Sequence, residues 1–414
     1  MVDRRHRSQN GHRRLAATFA SAIFLLAGCG GGGDGDLATS PGVTPTPTQT
    51  GEAVAFQSNA SHSGVASAPT PTFPLLSAWQ RTFASAVSYP LIAQGKVFVI
   101  VGPGSNASAQ LVAIDQTTGL DAWPAVSIGA AFAAAHAYDQ GSVFVMGSDS
   151  ILRGFDAATG AARWSTLVSF AQAIPPVARD GKVFVSSGNY VYAVDGKSGA
   201  ILWMKIAMAF ASPSLSGTGV VLAAACEAFS LLQSTGSEQW RIPPPTTCSE
   251  SPSGAVAYAA GRAYSRAYDY TIQKPTLVVR NADTGALIGS ANLFGFYTLP
   301  MPAVTADAAY VLSSGTLQRL DPLLQNVSWS FAGDSSLVSA PLVVGGVVLI
   351  GGFNGKLYAV DAATGSERWS SLVPAAIESP QEGGFPVTSG MAAANGILVV
   401  PAGRTLSTWR LSPS

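Results

Sequence analysis

The chain has 414 residues, with 23 Lys and Arg against 23 Asp and Glu, and only 11% of its residues are charged while 47% are hydrophobic. A formal charge of zero gives no sign of a nucleic-acid partner, and the charged fraction lies far under the roughly 25% usual in soluble domains. With 44 Gly and 26 Pro, the composition is one of short strands punctuated by turns, in a chain long enough to bury a large core.

In chain order, the first element is an export signal over residues 1–28. Arg4, Arg5, Arg7, Arg13 and Arg14 make a basic start, followed by an apolar run of 14 residues from Leu15 to Gly28. That run is short of the ~20 residues a transmembrane helix needs. It ends in Leu26-Ala27-Gly28-Cys29, which resembles the lipobox of bacterial lipoproteins. The resemblance implies that Cys29 takes a diacylglycerol thioether, becomes the new N-terminus and anchors the chain through several acyl chains. An ordinary secretory signal with a free Cys is the alternative. Arg13-Arg14 also fits the pair of a twin-arginine signal, although the residues after it do not continue that motif.

Removal of residues 1–28 leaves 18 basic and 22 acidic residues, a net charge of −4. Residues 29–51 are the lipidated Cys and then Gly-rich and Pro/Thr-rich sequence, with Pro-Thr-Pro-Thr at 45–48. Such a composition buries little apolar surface and predicts a disordered tether with a coil dimension on the order of 25 Å. Gly30 is not the acidic residue that marks inner-membrane retention in many enteric bacteria, so the expected address is the outer membrane, facing the periplasm. After Cys29 only Cys226 and Cys248 remain. An oxidising compartment would pair them, two buried thiols being the other possibility, and without further Cys or His they make no zinc site.

Over residues 52–414 a phrase recurs: Asp or a substitute, Gly four residues later, Trp eight later. It is complete at Asp115/Gly119/Trp123, Asp156/Gly160/Trp164, Asp195/Gly199/Trp203 and Asp361/Gly365/Trp369. It is degenerate at Leu232/Gly236/Trp240, Asn281/Gly285/Gly289 and Asp321/Gln325/Trp329. Successive copies start 37 to 49 residues apart, the period of a four-stranded propeller blade. Asp can bond its own backbone two residues on, Gly supplies the positive φ of a tight turn, and Trp buries a large flat area where two elements dock. Upstream runs such as Gly95 to Ile100 and Gly181 to Val185 predict the inner two strands of each blade, joined by a hairpin.

The Trp-type positions 79, 123, 164, 203, 240, 289, 329 and 369 number eight. Trp79 has no Asp-type strand before it, and the last such strand, Gly403 to Trp409, has no Trp after it. Joining the two ends predicts an all-β, eight-bladed β-propeller of four-stranded blades. The segment around Trp79 then completes the blade begun by residues 386–411, which protects the sheet edges.

The Ala-x-Asp-x-x-Thr-Gly-x-x-x-Trp phrase resembles the tryptophan-docking motif of quinoprotein-like (PQQ-like) β-propellers. The opening Phe56-Gln57, His62-Ser63-Gly64 and Trp79 are similar to the start of lipoproteins built from that repeat. The resemblance implies that Trp79, Trp123, Trp164, Trp203, Trp240, Trp329 and Trp369 pack between neighbouring blades. Through members that scaffold outer-membrane β-barrel assembly, it also implies a non-catalytic, membrane-anchored interaction module, monomeric within an envelope-protein complex. A propeller that binds a saccharide or peptide, or a degenerate quinoprotein dehydrogenase, are the alternatives. Dehydrogenases of this class carry their quinone on the axis with adjacent cysteines, stacking aromatics and a calcium. The chain has no adjacent Cys pair, no calcium-ligand spacing and no haem-attachment Cys-x-x-Cys-His, so no cofactor, metal or catalytic residue is expected.

Two features remain. His62 and His136 are the histidines left after the signal; the first is assigned to the opening segment as a structural residue and the second to an inner strand. Between the fifth and sixth phrases Tyr258, Arg262, Tyr264, Arg266, Tyr268 and Tyr270 share one parity, which on a strand puts them on one face. Tyr and Arg dominate binding hot spots, so this stretch is the candidate partner surface. Filling between blades, opposite the Trp replaced by Gly289, is the alternative.

Overall fold

Two-residue turns ending in Gly set the local pattern. In Gln94-Gly95 (φ 50° and 69°), Asp180-Gly181 (54° and 75°) and Ala260-Gly261 (47° and 76°) both residues are left-handed, the geometry whose twist suits a strand hairpin. The computed structural model describes residues 51–103, 108–169, 173–224, 227–243, 254–269, 274–293, 300–380 and 388–412. Among them the regular structure is entirely strand, arranged in eight sheets.

From the axis outward, the first blade is Leu91–Ala93, Lys96–Val101, Gln110–Asp115 and Asp121–Ser127. The second runs from Ala134–Asp139 to Ala162–Leu167 and the third from Val177–Arg179 to Ile201–Ala209. In the third, the 14-residue run Lys182–Asp195 supplies both middle positions. The fourth spans Ser214–Leu215 to Glu238–Ile242, the fifth Ala257–Ala259 to Leu287–Asn292. The sixth spans Ala303–Val304 to Val327–Phe331 and the seventh Leu342–Val344 to Glu367–Leu372.

The eighth blade closes the ring as the repeat count predicts. Ala392–Ala394, Ile397–Ala402 and Thr405–Arg410 come from the C-terminal end, and Leu76–Thr82 is the outermost strand, with Leu76 opposite Arg410 and Thr82 opposite Thr405. A ring closed by such pairing is an eight-bladed β-propeller.

Among the described residues no single central core exists. Apolar side chains gather instead in eight clusters, one at each junction between neighbouring blades. Phe144, Leu152 and Trp164 of the second blade, for example, meet Val183 and Tyr192 of the third. The inner strands are covered on both faces and read as continuous apolar runs, as in Lys96–Val101 and Ile397–Ala402, whereas the outermost strands alternate and are exposed on one face.

Candidate functional site

At the junctions the recurrent phrase acts as a lock. Asp115 Oδ1 accepts from the Thr117 and Thr118 amides and from the Thr118 hydroxyl, which holds its carboxyl below the usual carboxylate range. Asp156, bonded by Arg163 and by Thr159, is lowered to about 2. Each turn so fixed offers the carbonyl after the Asp position to an indole of the preceding blade. Trp79 Nε1 donates to Gln116 O at 2.9 Å, Trp123 to Ala157 O at 3.4 Å and Trp164 to Gly196 O at 2.9 Å. Trp203, Trp240 and Trp329 donate to Gln233 O, Ala282 O and Ala362 O at 3.1, 2.8 and 3.2 Å. The indole face lies on the Gly of the same turn: a Cβ at Gly160 would fall 2.8 Å from Trp123, and one at Gly199 2.6 Å from Trp164. Trp369 meets no such turn, because the eighth blade has its chain break there, and it stacks on Phe73 and edge-on to Trp409.

The junction between the fifth and sixth blades lacks the Trp, and here the Tyr/Arg stretch takes its place. Tyr264 is fully buried, and its hydroxyl donates 2.8 Å to Pro322 O, the carbonyl after Asp321 that an indole would otherwise hold. Gly289 leaves room for the Leu323 carbonyl, which would lie 2.1 Å from a Cβ there. The sixth blade's turn has thus moved inward where the ring is missing. Burial pushes the Tyr264 phenol up.

The expected single face of Tyr258, Arg262, Tyr264 and Arg266 is corrected by the Ala260-Gly261 turn. It divides them between Ala257–Ala259 and Arg262–Asp269, with Tyr258 opposite Ala263 and Ala257 opposite Tyr264. Tyr258 therefore faces the fourth blade with Trp240, and Tyr264 the sixth with Leu320. Tyr264 leaves the candidate partner surface and joins the core. Arg262 stays at the edge, bonding Ala306 O and, at 3.2 Å, the Tyr264 hydroxyl; Arg266 lies half-buried against Gly254. The side chain of Tyr268, and Tyr270, Cys29, Cys226 and Cys248, lie outside the described residues.

The axis carries a feature that repeat counting misses. Residues 53–66 run across the inner strands at the end where the innermost hairpins turn. Ala53, Val54, Ala60, Ser61, Ser63 and Gly64 each accept, at 2.7–2.8 Å, a backbone N–H from Ile92, Tyr138, Leu215, Tyr258, Val304 and Val343 respectively. Those donors belong to six different blades, and Arg179 of the third reaches Ser61 Oγ at 3.3 Å. Inner strands facing an empty axis would leave these amides without protein partners; the segment supplies them.

His62 is the buried pin of this segment. Its Nδ1 lies 2.7 Å from Phe56 O, and its Nε2 lies 2.8 Å from Ser212 Oγ and 2.9 Å from Pro213 O. Burial lowers its pKa. Phe56 also packs edge-on to Tyr89, which stacks on His136 of the inner strand Ala134–Asp139. Burial lowers His136 to about 4.

The described residues do not fit the quinone and calcium that the quinoprotein resemblance implies. The chain's own backbone crosses one end of the axis, and among the described residues no three His, Cys, Asp or Glu side chains gather closely enough to hold a metal. The turn Gly352 to Gly355 projects Phe353, 60% exposed, beside an open hollow of about 310 Å³ shared with Val338, Ile377 and Glu378.

A family described as outer membrane protein assembly factor BamB matches residues 76–241 and 227–400, from the ring-closing strand into the last blade. The chain belongs to this family. Among solved structures, BamB from Moraxella catarrhalis superposes with a TM-score of 0.61 at 16% identity, over 81% of this chain and 99% of that one. Quinohemoprotein alcohol dehydrogenase from Comamonas testosteroni superposes with a TM-score of 0.63 at 14% identity, over 89% of this chain and 81% of that one. At such identities the likeness is one of fold. The serine/threonine-protein kinase AfsK of Streptomyces coelicolor is 27% identical over 235 residues, which is 52% of this chain and 27% of the kinase. The match thus spans about a quarter of that relative's length.

Proposed function

We propose that this BamB-family chain is a non-catalytic propeller, lipid-anchored through Cys29 at the outer membrane and facing the periplasm, that holds protein partners of the envelope together. The observation that carries the reading is the family match across the blades. The closed end of the axis supports it: residues 53–66 are bonded across six inner strands where the innermost hairpins turn, which leaves the loops and the outer rim as recognition surface at that end, the geometry of a scaffold. The lipobox and the tether after it support the anchor and let the ring stand off the bilayer.

The test is capture with the tagged full chain extracted from membranes in mild detergent. Co-purification of the outer-membrane barrel-assembly machinery is expected; a clean absence of it, together with a specific signal on a glycan array, would replace the scaffold by a saccharide-binding propeller. The same preparation, incubated with pyrroloquinoline quinone and calcium, is expected to oxidise neither alcohols nor sugars with an artificial electron acceptor. Turnover with stoichiometric quinone binding would refute the non-catalytic reading.

A further inference from the structure

The outer rim is not uniform. Ile201–Ala209 is the outermost strand of the third blade and, at nine residues, is longer than the other seven outermost strands, which have five to seven. On its outward face Leu202, Met204, Ile206 and Met208 are 47%, 53%, 72% and 55% exposed. They fall at every second residue, the spacing of one strand face, while Trp203 and Ala207 on the other face pack into the junction with the fourth blade.

The remaining blades give an internal control. At the matching positions on either side of the docking residue the second blade has Arg163 and Ser165, the fourth Gln239 and Arg241, and the fifth Ile288 and Ser290. The sixth has Ser328 and Ser330, the seventh Arg368 and Ser370, the eighth Ala78 and Gln80, and the first Ala122 and Pro124, so each of these rows holds a polar residue or a proline. Polar residues, charge and proline are the usual means of keeping an open strand edge from pairing. Only the third blade lacks them along the whole row. Its strand pairs inward with Lys182–Asp195, and nothing among the described residues pairs along its outer edge.

We propose that the outer edge of Ile201–Ala209 is a docking site for an extended peptide segment whose side chains alternate apolar and polar, added as a further strand of the third blade. Main-chain bonds along the edge would give affinity, and the row Leu202, Met204, Ile206 and Met208 would select the alternation. The area argues for a segment over a second copy. Half-exposed side chains of this size offer on the order of 100 Å² each, so the row and its partner bury roughly 800 Å², below the ~1,200 Å² where stable interfaces between folded proteins begin. Charge argues the same way: the two-fold pairing that matches the whole strand with its copy sets Lys205 opposite Lys205, and like charges directly opposed destabilise a sheet pair. The row also carries no cation of its own to hold an anionic bilayer.

This inference rests on the protein-interaction reading, but its test is separate. The full mature chain in detergent is titrated into a fluorescein-labelled nonapeptide of alternating Val and Thr, and into a peptide of the same composition with the valines and threonines in blocks. Anisotropy should report saturable binding of the alternating peptide and at least tenfold weaker binding of the block peptide. Met204→Thr with Ile206→Thr should weaken the alternating peptide at least tenfold while the melting temperature stays put, since both side chains are exposed. Should that pair lower the melting temperature, the single variants Leu202→Thr and Met208→Thr carry the same comparison. Equal binding of both peptides, or equal binding by the variants, would overturn the proposal. So would a concentration-dependent dimer, or co-sedimentation with phosphatidylglycerol vesicles by the Cys29→Ala chain, that the Thr variants abolish. None of these results alters the capture of envelope partners scored above.

Discussion

The docking geometry makes a sharp demand on Gly199. Its φ of +75° is matched by Gly95 at +69°, yet a Cβ at Gly95 meets nothing within 4 Å, while one at Gly199 lies 2.6 Å from Trp164 Cε3, 2.7 Å from Cδ2 and 2.9 Å from Thr166 Oγ1. Alanine at either site incurs the left-handed penalty, about 1–2 kcal/mol. At Gly199 it must also displace an indole whose Nε1 is held 2.9 Å from Gly196 O, and overpacking of that kind costs about 1–3 kcal/mol more. Gly199→Ala should therefore destabilise by about 2–5 kcal/mol and Gly95→Ala by about 1–2 kcal/mol. The difference belongs to Trp164, so it should shrink in a Trp164→Leu background, with a coupling energy of about 1–3 kcal/mol in the double-mutant cycle. Urea unfolding of the mature chain and each variant, followed by far-ultraviolet circular dichroism, gives the midpoints. Equal losses for the two alanines, or additive losses for Gly199→Ala and Trp164→Leu, would refute the claim that the ring rides on the glycine.

Three further outcomes are expected. Tyr264→Phe should cost about 1–3 kcal/mol, because it strands the Pro322 carbonyl at the one junction without an indole, whereas Arg262→Ala at the exposed edge should stay within about 0.5 kcal/mol; thermal melts compare them. His136 is lowered by burial from its ordinary 6.5 to about 4, so below pH 6.5 the unfolded chain binds the proton first and stability falls as pH drops towards 4. His136→Gln should flatten that part of a plot of urea midpoint against pH, and an unchanged slope would count against the buried neutral ring. Radiolabelled palmitate should enter the wild-type chain and not Cys29→Ala; equal labelling would dismiss the lipobox reading.

The ring itself was legible because it repeats. Trp, Gly and Asp at fixed offsets gave the blade count, and the unmatched Trp79 and Trp409 ends gave the closure that Leu76–Thr82 makes with Thr405–Arg410. The Tyr/Arg face was misjudged because parity was carried through Ala260-Gly261. That pair has the form of Gln94-Gly95 and Asp180-Gly181, the signal that could have divided it. Opposite Gly289, the loss of one ring is answered by the Tyr264 phenol from two strands further in, the filling between blades that the sequence offered as the alternative, although no fixed offset singled out Tyr264. The axial segment was recognisable as an opening motif, but its six partners lie between Ile92 and Val343, too dispersed for any local pattern. The apolar row of the third blade follows the ordinary alternation of a strand and becomes informative only when the eight rims are compared in register.

The segment at the axis also sets how the molecule can come apart. In an open array of repeats each unit leans only on its neighbours, so a terminal unit can fray while the rest stands. Here one stretch of fourteen positions, residues 53–66, is bonded to blades as far along the chain as Val343, and its proper contacts cannot all form until the last third of the polypeptide has arrived. Such long sequence separations slow assembly and bind the blades into one cooperative transition. Peeling a single blade from the rim disturbs two junctions, whereas withdrawing the hub strips backbone partners from six blades together.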